Sequence, residues 1–177
     1  ADTSQNINSA EEAALTSLLE QIVESYELHA NSPTRIGIVV YRTVATRVSE
    51  LTDDANALRL AIQARGAASD PAAMSAGLDE AYSMLTGGLA RSEARPVVIL
   101  VAAGLSRRGG GDDADRASAL ALTGTANGQL RARLYGLSCE GNGEDASGHS
   151  PDSLIHEISS VSILGTTVAA SATTIHP

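Results

Sequence analysis

Apolar positions recur along the chain with two periods, and the period switches at recognisable breaks. In SAEEAALTSLLEQIVESYELH, Leu15, Leu18, Leu19, Ile22 and Tyr26 fall at helical spacing. Ser9 with Glu12 three residues on makes a capping box, so the segment predicts an amphipathic helix. Asn31-Ser32-Pro33 ends that pattern, and Ile36 to Tyr41 follows as a nearly continuous apolar run. Such a run suits a strand buried on both faces, whereas the alternation of Val44, Thr46 and Val48 suits an edge strand with one wet face. A helix is expected from Asp53 to Arg65, closing at Gly66. Asp70-Pro71 reads as an N-cap and first-turn proline for the next one, with Met74, Leu78, Ala81, Tyr82 and Leu85 as its stripe and Gly87-Gly88 as its stop.

The stretch RPVVILVAAGLSRRGGGDDADRA begins as a buried strand from Pro96 to Ala102, breaks at Gly104 and re-enters a helix from Asp113 to Leu122. A strand from Arg133 to Cys139 comes next, then the polar, Gly-rich loop EGNGEDASGH. A short helix opened by Ser150-Pro151 carries Leu154, Ile155 and Ile158, and a β-rich tail runs from Val161 to Ile175. Strand and helix alternate, and the middle strands are continuously apolar. The expected fold is therefore α/β: one domain over residues 1–177, with a doubly wound, mostly parallel sheet covered by helices on both faces. In such sheets ligands bind at the carboxyl ends of the strands, which directs attention to the loop after Ala102.

Composition narrows the partners. The chain has 177 residues, 43% of them hydrophobic, which supports one substantial core. Its net charge is −9, and Arg107-Arg108 is the notable basic cluster. A phosphate backbone would be repelled by most of this surface, so nucleic acid is excluded as a partner. Phe and Trp are absent, which removes the usual stacking platforms. No apolar run approaches the roughly 20 residues of a bilayer span, so no membrane insertion is expected from this segment. Cys139 is the single cysteine; it is read as a small buried hydrophobe, and no intrachain disulfide can form. Nothing here fixes a compartment.

The order of elements resembles a von Willebrand factor type A domain. RIGIVVYRTVATRVSELTDD, Arg35 to Asp54, is similar to that family's second and third strands and the following helix start; PVVILVAAG, Pro96 to Gly104, to its fourth strand; and RLYGLSC, Arg133 to Cys139, to its fifth. The resemblance implies a protein-interaction role and a place for a divalent cation at the top of the sheet. The family's Asp-x-Ser-x-Ser motif stands here as Asp2-Thr3-Ser4-Gln5-Asn6, with Asn in the last position. The second loop, SDPAAMSAG, offers Ser69, Asp70 and Ser75, and the Thr-Asp-Gly turn has become Ala102-Ala103-Gly104. Asp2, Ser4 and Asp70 are thus the candidate ligands of a Mg²⁺ site that has lost its carboxylate at Ala103. A decayed site, no obligatory cofactor and no catalysis are the expectation, with Arg107, Arg108, Asp70 and Gly104 contacting another protein or a neighbouring subunit.

In the family the motif at Asp2 follows a central strand, whereas here only Ala1 precedes it. Unpaired buried backbone groups cost about 1–3 kcal/mol each, so a strand is expected between Ile36–Tyr41 and Val97–Ala102. It would come from upstream, from another chain, or from the tail TTVAASATTI. Two alternatives stand beside the scaffold reading: a Mg²⁺-dependent adhesion domain, and a doubly wound hydrolase or nucleotide-binding enzyme. The latter has little support. Gly141-x-Gly143-x-x-Ala146 formally matches a dinucleotide fingerprint but sits beside Glu144 and Asp145, no phosphate-loop lysine exists, and no G-x-S-x-G elbow anchors a catalytic serine. His149 and His156, near Asp152 and Glu157, match no zinc spacing and read as solvated residues.

Overall fold

The structure, a computed structural model, describes residues 1, 3, 9–26, 28–66, 73–102, 112–124 and 130–138. Its elements are α1 (Ser9–Ser25), β1 (Ile36–Tyr41), β2 (Ala45–Thr52), α2 (Ala55–Ala64), α3 (Met74–Thr86), β3 (Val97–Ala102), α4 (Asp112–Thr123) and β4 (Arg133–Ser138). The predicted loop at 140–149, helix after Ser150, C-terminal tail and Cys139 lie outside the described residues. So do the six predicted site residues Asp2, Ser4, Asp70, Gly104, Arg107 and Arg108.

Two ladders, each a two-stranded sheet among the described residues, are formed. β1 and β2 are antiparallel, pairing Val40 with Thr46 and Tyr41 with Ala45. β3 and β4 are parallel, in register from Val97 opposite Arg133 to Ala102 opposite Ser138. Among the described residues no ladder joins β1 to β3. A cavity of about 800 Å³ lies between them, in the place where a further strand is expected.

Alternation along β1 builds a core on each face. Ile38 joins Val23, Leu58, Ala61 and Ile62 on the side of α1 and α2. Tyr41 joins Met74, Leu78, Leu100, Ala119, Leu122, Ala132 and Leu134 on the side of α3 and α4. Helices therefore cover both faces, as the continuous apolar run requires. Each fully buried Leu or Ile contributes about 1.5–3 kcal/mol, so these clusters dominate the cohesion of the fold. Within the predicted α1 stripe, Leu15 is buried, but Tyr26 at the helix end is 43% exposed and the unforeseen Val23 takes a core position.

Polar ties hold the helices to one another and to the sheet. Asp54 caps α2, accepting from the amides of Asn56 at 2.9 Å and Ala57 at 3.1 Å. Arg65, just past that helix, is buried and donates through Nη2 to Glu12 Oε1 at 2.9 Å and Thr16 Oγ1 at 2.7 Å on α1. Glu12, read as half of a capping box, thus directs its carboxylate to a residue 53 positions away. Arg47 on β2 donates to Glu80 on α3 and, at 2.8 Å, to Ser83 Oγ. The Glu80 hydrogen bond holds the Arg47 guanidinium above its ordinary pKa.

One predicted boundary is corrected. α3 starts at Met74 with Ala73 as its N-cap, later than the Asp70-Pro71 signal suggests; those two residues lie outside the described ones. The cause is tertiary. The Ala73 amide donates to the Arg42 carbonyl at 2.8 Å, which holds residue 73 extended at φ −126°, ψ 93°.

Candidate functional site

The carboxyl end of β1 gathers three stretches that are far apart in sequence. Ala1 donates through its amine to the Val39 carbonyl at 2.6 Å. Tyr41 N–H donates to Ala1 O at 3.0 Å, and Thr3 N–H donates to Tyr41 O at 3.2 Å. This alternation is a short parallel ladder, so Ala1 and Thr3 lie along the β1 edge opposite β2. Tyr41 then reaches β3, its hydroxyl donating to the Val101 carbonyl at 3.1 Å. Arg42, the next residue, accepts from Ala73 N–H through its carbonyl, which brings in the chain entering α3.

Arg42 also places a cation inside this cluster. Its Nε donates to Thr3 Oγ1 at 3.3 Å and its Nη2 to the Gly66 carbonyl at 3.0 Å. Thr3 is only 1% exposed, so its hydroxyl faces the guanidinium rather than solvent. Below, Gly77 of α3 presses on the Tyr41 ring: a Cβ there would lie 2.7 Å from Cδ1 and 2.8 Å from Cγ. A glycine is required at that position for the helix to approach so closely. Tyr41 is thereby fixed, and its hydrogen-bonding groups with it.

The six predicted site residues lie outside the described residues, yet described neighbours frame them in the chain. Thr3 stands between Asp2 and Ser4, Ala73 three residues after Asp70, and Ala102 two residues before Gly104. Thr3 and Ala73 are each hydrogen-bonded to the Tyr41–Arg42 pair, and the residue before Ala102 is as well. Neither Tyr41 nor Arg42 is singled out by the sequence. The one available signal is that a Tyr-Arg pair follows a buried strand, where polar groups need partners.

Chemically, the described part of this end offers hydrogen-bond donors, one guanidinium and the backbone of Ala102, with no carboxylate beside them. Among the described residues no group of three or more His, Cys, Asp or Glu could hold a metal ion, and no helix is long and apolar enough to cross a membrane.

A family model described as von Willebrand factor type A domain matches residues 1–158. No curated protein sequence matches the chain. Several solved structures share the fold. Manganese-loaded Plasmodium vivax TRAP protein superposes with a TM-score of 0.72 at 16% identity, over 94% of this chain and 63% of that one. This chain therefore spans less than two thirds of that structure's length. Proximal thread matrix protein 1 from the mussel byssus, with a zinc-occupied MIDAS motif, gives 0.64 at 15% identity, over 77% of this chain and 36% of that one. The vWF domain of the type V pili tip protein Mfa5 from Porphyromonas gingivalis gives 0.53 at 22% identity, over 59% and 36%.

Proposed function

The chain belongs to the von Willebrand factor type A domain family, and we propose that it acts there as a non-enzymatic protein-interaction module that binds its partner without needing a metal. The partner is another protein or a neighbouring subunit, met by the loops at the carboxyl end of the sheet. Arg107, Arg108, Asp70 and Gly104 are the contact residues in this reading. Arginine suits the task because its planar fork grips carboxylates and stacks on flat groups.

The observation that carries the metal-independent part is the loss of the family's carboxylate, whose position is Ala103 here. Asp2, Ser4 and Asp70 are three oxygen donors, whereas Mg²⁺ demands a near-octahedral shell and keeps waters in the positions the protein leaves open. The family's further carboxylate is replaced by a methyl at Ala103, and the neighbouring position is Ala102. Thr3, between two of the three donors in sequence, has its hydroxyl engaged by a guanidinium. The donor set therefore fits a divalent cation poorly. A second reading, a metal-dependent adhesion domain, draws its support from the manganese- and zinc-loaded neighbours.

Thermal unfolding in millimolar Mg²⁺ or Mn²⁺ separates the two. A ligand at 100 times its dissociation constant adds about 2.7 kcal/mol, which a melting curve resolves. The expected result is a shift within error. A clear metal-dependent rise that Asp2→Ala abolishes would establish the adhesion reading instead.

A further inference from the structure

At the pole opposite the carboxyl end of the strands, arginine gathers. Tyr41 at the end of β1 reaches Val101 near the end of β3, while Arg35, just ahead of β1, donates through Nη1 to the Leu89 carbonyl at 2.9 Å, ahead of β3. The amino ends of the two strands therefore lie together. Arg91 donates through Nη1 to the carbonyls of Ser32 at 3.0 Å and Pro33 at 2.9 Å, which ties the loop before β3 to the loop before β1. β4 begins at the same end: the Arg133 amide donates to the Pro96 carbonyl at 3.0 Å, and Val97 is the register partner of Arg133. Arg35, Arg91, Arg95 and Arg133 thus border one surface, and Arg35, Arg95 and Arg133 are exposed on it.

Elsewhere arginine meets glutamate: Arg47 pairs with Glu80, Arg59 with Glu24 and Arg65 with Glu12. Among the described residues no ion pair engages Arg35, Arg91, Arg95 or Arg133, and the bonds that Arg35 and Arg91 make go to neutral carbonyls. Glu93, the acid of the same loop, accepts from Ser92 Oγ at 2.8 Å. Four cations against one carboxylate make this end locally positive in a chain of net charge −9. Apolar groups stand among them. Leu89, Val97 and Tyr135 are each 43–47% exposed, and Tyr135, two residues after Arg133 on β4, shares its face of the strand. We propose that the amino end of the sheet is a second docking surface, which takes a segment of a partner protein whose carboxylates alternate with apolar side chains. Each guanidinium fork suits a carboxylate, and tyrosine beside arginine is the composition of interface hot spots. A purely charged polyanion would leave Leu89, Val97 and Tyr135 uncovered. A second copy of this chain would bring its own excess of negative charge close to that of the first, which opposes association. The surface is remote from the loops at the carboxyl end, so it does not depend on the contact proposed there, and one module with both can bridge two partners.

The test titrates the full chain with a labelled peptide of alternating Glu and Leu, read by fluorescence anisotropy. Binding is expected, and the matching Gln-Leu peptide should bind at least about tenfold more weakly. In an NMR titration of the unaltered chain, amide shifts should concentrate on residues 89–97 and 133–135. The double variant Arg95→Ala with Arg133→Ala changes two exposed side chains, so it should melt as the parent does while losing about tenfold in affinity or more. Arg107→Ala with Arg108→Ala removes the same charge from the contact proposed for the carboxyl end, and should leave peptide affinity unchanged. Equal losses in the two double variants would reduce the effect to net charge and overturn the proposal, as would shifts confined to the carboxyl end or no binding of the Glu-Leu peptide. Binding of inorganic polyphosphate alone would assign the surface to a polyanion. Self-association of the chain that the Arg95 and Arg133 substitutions abolish would assign it to a second copy, and either result would likewise overturn it.

Discussion

Arg65 shows how burial decides which half of an ion pair matters more. Its side chain is 1% exposed and that of Glu12 is 26% exposed, while Arg65 Nε has no hydrogen-bond partner among the described residues. Removing Glu12 leaves a buried guanidinium uncompensated, a situation that costs about 3–5 kcal/mol when the remaining charge cannot reach water. Removing Arg65 leaves a carboxylate that is already partly hydrated. If Met replaces the arginine stem, it also eliminates the orphaned Nε and keeps the apolar packing. Glu12→Ala should therefore destabilise by about 2–4 kcal/mol and Arg65→Met by about 1 kcal/mol or less, measured by urea unfolding. The reverse order would mean that Arg65 acts mainly through its contacts with Thr16 and the Ile62 carbonyl rather than through its charge.

Between elements, the closest approach is that of α3 to β1 at Gly77 and Tyr41. Alanine at Gly77 would gain about 1 kcal/mol of helix propensity, and in an open helix that would settle the sign. Here its methyl would enter the space of Tyr41 Cδ1, Cγ and Cβ, at 2.7–3.0 Å, and these are the rigid base of the ring rather than a flexible tip. Overpacking of this kind costs about 1–3 kcal/mol, so Gly77→Ala should lower the melting temperature, and a rise would show that α3 can slide away from β1. The same junction marks how far the sequence is legible. β1, β3 and the Asp54 cap of α2 follow from local pattern alone, because an apolar run or a capping side chain acts within a few residues. The start of α3 does not. Asp70-Pro71 is a good local signal, but Ala73 is held extended by a carbonyl at Arg42, 31 positions earlier, and tertiary bonding overrides propensity there. The candidate site divides in the same way. Motif spacing picks out Asp2, Ser4, Asp70, Gly104, Arg107 and Arg108, but nothing near Arg42 in the sequence reveals that Thr3 is its partner.

At the scale of the whole molecule, the described residues form two packed units that share β1: α1, α2, β1 and β2 around Ile38, and α3, α4, β3 and β4 around Tyr41. Ordinarily a continuous sheet would couple such units through many backbone bonds. Among the described residues the two ladders are separate, and the Tyr41 hydroxyl on Val101 is a direct tie between β1 and β3. Tyr41→Phe tests this with little change of volume, since the ring and its contacts with Met74 and Leu78 remain. Losing a buried hydrogen bond costs about 1–2 kcal/mol, and the Val101 carbonyl loses a donor in a site that water enters poorly. If the hydroxyl matters only locally, the loss should appear evenly across the protein as a reduced global stability. If it couples the units, amides of β3 and β4 should lose more protection than those of β1 and β2, because β1 keeps its ladder to β2 and its bonds to Ala1 and Thr3. We expect the uneven pattern in hydrogen exchange.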